Sequence, residues 1–62
     1  MMTKFTKGRK VDTLGDLVSV LENGIWVYWN HKPMHPSFLW NMQLRTLRNA
    51  ITLGIIHVAL RR

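Results

Sequence analysis

Five consecutive residues, Ile25-Trp26-Val27-Tyr28-Trp29, are all β-branched or aromatic. Such side chains lose rotamer freedom in a helix and fill a pleated surface well, so the run predicts a strand over 25–30. Side chains alternate along a strand, so Ile25, Val27 and Trp29 point one way and Trp26 and Tyr28 the other. Both faces of this strand are apolar. The fold built on it must cover both faces, or cover one and leave the other for a partner.

The material for that cover lies on either side. Leu14, Leu17, Val18 and Leu21 recur at helical spacing and predict a short helix over 13–22. Thr13 and Asp16 stand at the spacing of a capping box, with Asp in place of the usual Glu or Gln. Asn23-Gly24 stops this helix, because both residues tolerate the left-handed conformation. A strand through Leu17–Leu21, with Asn23-Gly24 as a hairpin turn, is the competing reading. After the aromatic run, His31-Lys32-Pro33 predicts a turn, and His35 before Pro36 predicts an extended stretch.

A longer helix is expected over 37–53, started by Pro36-Ser37 and ended by Gly54. Trp40, Leu44, Leu47 and Ile51 form one face of it, and Asn41, Arg45, Arg48 and Thr52 a polar stripe. Phe38, Met42 and Leu53 fall beyond that stripe, so the helix carries apolar surface on two flanks. Ile56, Val58 and Leu60 alternate in a final strand over 55–60. Residues 1–11, with Lys4, Lys7, Arg9 and Lys10, read as a flexible basic arm, and 12–62 as a single small domain.

The expected fold class is α+β, in the order short helix, strand, turn, long helix, strand. Strands 25–30 and 55–60 are expected side by side, with Trp40, Leu44, Leu47 and Ile51 packed on their Val27 and Val58 faces. The helical connection between them favours a parallel or crossover arrangement, and a return strand at Met34-His35 would add a third strand. The chain has 62 residues and no cysteine, so neither disulfides nor thiolate metal sites can supplement a small core. A homodimer is one way to complete it.

Charge sets the expected partner. Nine Lys and Arg face three acids, a formal charge of +6, and the acids Asp12, Asp16 and Glu22 all lie in one segment. A one-signed field of this kind attracts polyanions. DNA or RNA is therefore the first expected partner, with Lys32, Asn41, Arg45, Arg48, Arg61 and Arg62 on phosphates or bases, and Trp26 and Tyr28 stacking on bases. The second is a larger host protein, met through Trp29, Met34, Phe38 and Met42, since Met and aromatic residues are favoured in interfaces. In that case the chain acts as a modulator or inhibitor.

No enzyme is expected. The three acids all lie in the first half and Asp16 is better explained as a helix cap, there is no cysteine nucleophile, and Gly8, Gly15, Gly24 and Gly54 are too scattered for a phosphate loop. His31 and His35 are four apart, but Pro33 between them opposes a shared helical face, and no metal or other cofactor is expected. No signal-peptide pattern or membrane span is apparent, which points to a cytoplasmic protein without a membrane partner. The short length, the paired methionines at the start and the tryptophan-rich basic composition are similar to small accessory proteins of bacterial viruses, which implies a host cytoplasm.

Overall fold

The computed structural model describes residues 4–61. Seven elements follow along the chain: β1 (Phe5–Lys10), α1 (Leu14–Glu22), β2 (Val27–Trp29), β3 (Lys32–Met34), α2 (Pro36–Trp40), α3 (Leu44–Leu53) and β4 (Ile56–Arg61). The strands form one sheet in the order β1-β4-β2-β3, and every neighbouring pair is antiparallel. The fold class is α+β.

Local chemistry accounts for most element ends. The Thr13 side chain accepts a hydrogen bond from the Asp16 amide and caps α1. At the other end Gly24, at φ 68°, donates to the Leu21 carbonyl, and Ile25 donates to that of Val20. Gly54, at φ 73°, ends α3 the same way, with its own amide on Ile51 and that of Ile55 on Ala50. These paired bonds satisfy carbonyls that a helix end otherwise leaves bare, and glycine adopts the required conformation without a Cβ penalty. Asn30 and His31, at φ 50° and 74°, make the two-residue turn of the β2–β3 hairpin.

One set of buried side chains joins the layers. Leu17, Val20 and Leu21 of α1, Leu39 of α2, and Leu47 and Ala50 of α3 cluster with Val11, Val27, Ile56 and Val58. Val27 stands opposite Val58, and Trp29 opposite Ile56, so these residues share one face of the sheet. All three helices lie on that face.

Four expectations change. The turn expected at His31-Lys32-Pro33 falls on Asn30–His31 instead, because these two take the positive φ of a two-residue hairpin and Lys32 and Pro33 already pair with Trp29 and Tyr28. Phe5–Lys10, read as part of a mobile arm, is an edge strand paired with β4. Its bonds come from a strand some fifty residues later, so nothing local announces it; residues 1–3 of the expected arm lie outside the described residues.

The single helix over 37–53 is two helices, broken at Asn41–Gln43. At about 100° per residue, one straight helix would turn Met42 about 140° from Leu47 and about 180° from Ile51, so these two apolar groups could not share a face. The break lets both groups reach the core. It also leaves Trp40 and Leu44 exposed, at 54% and 52%, where the sequence pattern put them inward.

Finally, the strand of the aromatic run pairs antiparallel with the last strand. The β2–β3 hairpin reverses the chain before the helices begin, so the helical crossover joins β3 to β4. Those two strands run in the same direction with β2 between them. The link through α1 likewise joins β1 to β2 around β4.

Candidate nucleic-acid interface

Among the described residues every helix lies on one side, and no other element covers the opposite face of the sheet. Register assigns its residues: Tyr28 stands between His57 and Pro33, Lys10 opposite His57, Lys7 opposite Ala59, and Phe5 opposite Arg61. Trp26 precedes Val27 and turns to this side, where its ring stacks on Phe5 with centroids 4.8 Å apart and planes 20° apart. The Trp26 and His35 rings stand nearly perpendicular, with centroids 5.3 Å apart. Both Phe5 and Trp26 are half-buried, which leaves part of each ring accessible.

A bulge places two lysines here. Between Lys7 and Lys10 three steps of β1 span two of β4, from Ala59 to His57. The extra residue returns Lys10 to the face that Lys7 occupies. Gly8 sits in this irregularity, where an added Cβ would lie 2.8 Å from both the Leu60 Cγ and the Val58 carbonyl oxygen. Arg9 points to the helix side and forms a two-pronged pair with the Asp16 carboxylate, at 2.6 and 2.9 Å.

Two side-chain bonds cross the open face. The Tyr28 hydroxyl donates to the Phe5 carbonyl at 3.0 Å. The Lys7 ammonium donates to the Nδ1 of His31 at 2.8 Å. His57, half-buried between Lys10 and Tyr28, holds its proton less tightly than an ordinary histidine. Burial is the main cause, followed by the charges of Lys7, His31 and Lys10.

None of the residues that register places on this face is acidic. The Asp12 carboxylate flanks Lys10, its Oδ1 3.9 Å from the Lys10 Nζ. Asp16 is engaged with Arg9, and Glu22 is exposed at the end of α1. Beside the Phe5–Trp26 stack opens a shallow pocket of about 370 Å³, lined by both rings, Ile25, Ala59, Leu60 and Arg61 among others. It is large enough to take a planar aromatic group against the two rings.

The residues singled out in the sequence fall into separate places. Trp26 and Arg61 are on the open face, with Arg61 exposed; Arg62 lies outside the described residues. Tyr28 is on this face too, but is 8% exposed, so it braces the sheet and offers little ring for stacking. Lys32 stands opposite Trp29 and faces the helix side. Asn41 ends α2, while Arg45 and Arg48 are exposed on α3. The helix break separates Asn41 from the stripe, and the arginines belong to the layer across the core from Trp26.

Of the interface candidates, Trp29 and Met42 pack against the core, Met34 is half-buried on β3, and Phe38 is exposed. His31 and His35 do not share a site: His31 accepts from Lys7, and the His35 ring caps α2 through the Ser37 amide. Among the described residues no cluster of three His, Asp or Glu side chains is placed to hold a metal ion. No described helix is long and apolar enough to cross a membrane.

Sequence reasoning missed Phe5 and His57, and it read Lys7 and Lys10 as arm. The alternation Phe5, Lys7 is visible in the chain, but the bulge shifts its phase before Lys10. The arrangement defines a class: a two-layer α+β domain whose antiparallel sheet is open on one side and carries aromatic and cationic groups there. No protein-family model, curated protein or solved structure matches the chain.

Proposed function

We propose that this protein is a non-enzymatic module that binds single-stranded nucleic acid across the open face of its sheet. The observation that carries this reading is the half-buried Phe5–Trp26 stack, set beside Lys7, Lys10 and Arg61 on a face where the strand register places no acidic residue. Nucleobases stack on aromatic rings whatever their sequence, at about 1–3 kcal/mol per base. Phosphates between the bases are drawn to the lysines and to Arg61. An unpaired strand suits this face because its bases can turn flat onto the rings, whereas a duplex hides them. The long-range field of a +6 chain favours the encounter. Such a protein works where nucleic acid is exposed, in the cytoplasm, as an accessory or regulatory factor.

The test is titration with short single-stranded oligonucleotides, read by tryptophan fluorescence. A stacked base quenches Trp26. Trp26→Leu should remove most of that signal and weaken binding by about tenfold or more, as expected from losing one stacked base. Quenching that persists unchanged in Trp26→Leu would place the contact elsewhere, and no binding at physiological salt would end the reading and turn the search to protein partners.

A further inference from the structure

The strongest unassigned cluster is the cationic end of the open face. Register puts Lys10 directly across from His57 and Lys7 across from Ala59, one position along on the same side. Directly opposed residues in an antiparallel pair have Cβ atoms about 5 Å apart, and diagonal ones about 7–8 Å. Two lysine side chains and an imidazole therefore spring from neighbouring positions; the Lys7 Nζ rests on His31 and the Lys10 Nζ lies 3.9 Å from Asp12, and their flexible stems can carry both ammonium groups onto one small anion beside His57. The Lys7 ammonium is oriented by His31, which takes one of its three N–H groups and leaves the others free to donate.

We propose that Lys7, Lys10 and His57 form a phosphate-binding site, and that His57 takes up a proton as the phosphate binds. The site rests on the nucleic-acid reading only for the ligand that carries the phosphate. Its chemistry is that of a tetrahedral oxyanion bearing one or two negative charges, as a phosphodiester in a strand or as a free ion.

The proton linkage follows from what faces His57. On β1 are Lys7 and Lys10, on the β2–β3 turn His31, on β2 the Tyr28 ring, and further along β4 Arg61. The Tyr28 hydroxyl is committed to the Phe5 carbonyl, and the Asp12 carboxylate lies 3.9 Å from the Lys10 Nζ. With the site empty, burial and a third positive charge beside the two lysines both disfavour the imidazolium, so His57 holds its proton weakly. An anion seated among them reverses that balance and adds an acceptor for an imidazolium N–H. Bound protein then holds the proton more tightly than free protein, so affinity must rise as pH falls. One proton sets the ceiling at about tenfold per pH unit.

The experiment uses the full chain, a short oligothymidylate and, separately, sulfate. Neither the phosphodiesters and thymines of the one nor the charge of the other changes between about pH 5.5 and 7.5, a window in which histidine is the side chain that titrates. Affinity for the oligonucleotide should rise severalfold on acidification, and His57→Gln should flatten that dependence. Sulfate should raise the pH at which the His57 ring titrates, read from its imidazole proton resonances in the wild-type chain, so the result does not hang on how the variant folds. Oligonucleotide binding that is indifferent to pH, with a sulfate-insensitive His57, overturns the site and leaves the nucleic-acid reading standing. An unaltered pH dependence in His57→Gln also overturns it. A sulfate-sensitive His57 in a chain that binds no oligonucleotide supports the site and rejects that reading.

Discussion

The Tyr28 hydroxyl donates to the carbonyl of Phe5 at 3.0 Å, which ties β2 to β1 across the whole width of β4. Strands lie about 4.8 Å apart, so the phenol ring must lie flat over β4 to span two spacings. Ala59 is the residue of β4 on this side with a methyl for a side chain, and it is buried. The bond holds the edge strand that supplies Phe5, Lys7 and Lys10.

Tyr28→Phe keeps the ring and removes the bond. It should lower stability by about 1 kcal/mol, the usual net worth of one such hydrogen bond. Urea unfolding measures the loss, and hydrogen exchange should show it concentrated in the amides of β1. Protection lost evenly over all four strands would mean that the bond is not what holds β1.

Two glycines should respond in opposite senses to alanine. At Gly8 the new methyl meets Leu60 and the Val58 carbonyl at 2.8 Å, so Gly8→Ala should cost about 1–3 kcal/mol, the range for overpacking. At Gly15, in the first turn of α1, the nearest atom is the Thr13 hydroxyl at 4.0 Å. Gly15→Ala should stabilise by about 0.4–1 kcal/mol through the reduced entropy of the unfolded chain. Thermal unfolding of the two variants side by side checks both signs.

Salt dependence separates the two cationic surfaces. Each phosphate contact on a single strand contributes a slope of about −0.7 to log K against log salt. Replacing Lys7 and Lys10 together by alanine should make the slope shallower by about 1.4. Replacing Arg45 and Arg48, which lie on α3 across the core, should leave it nearly unchanged. The reverse result would move the nucleic acid to the helix layer.

Acid should destabilise the free protein in two stages. His57 titrates below its ordinary 6.5, chiefly through burial and then through the charges of Lys7, His31 and Lys10. The unfolded chain then binds the proton more tightly, so stability is full above about pH 6.5 and falls as pH drops through the folded value. Asp16 titrates below its ordinary 3.8 because the Arg9 guanidinium donates to it, which gives a second decline at lower pH. His57→Gln should abolish the first stage and spare the second. Urea midpoints measured across the acidic range would show both, and a first stage that survives in His57→Gln would assign it to another group.

Several features were legible along the chain because they are local. Thr13 caps α1 through an amide three residues away, and Gly24 and Gly54 end helices by conformations open to them wherever they stand. The β-branched and aromatic run from Ile25 to Trp29 needed no partner to announce a strand, and its two apolar faces already required one layer of cover or a binding role.

The rest was decided by contacts between residues far apart in sequence. Phe5–Lys10 is a strand only because β4 offers it an edge, and its bulge conceals the alternation that would have shown it. The helix breaks at Asn41–Gln43 because two apolar groups at different angles must both meet one sheet. Lys7 reaches His31 across twenty-four residues of chain, and Tyr28 reaches Phe5 across twenty-three. Sequence alone thus determined the class of the fold and most of its element ends, which depend on backbone conformation within a few residues. Tertiary structure alone decided which face of the sheet stays open and which side chains meet on it, because strand order and helix placement are properties of the whole chain's packing.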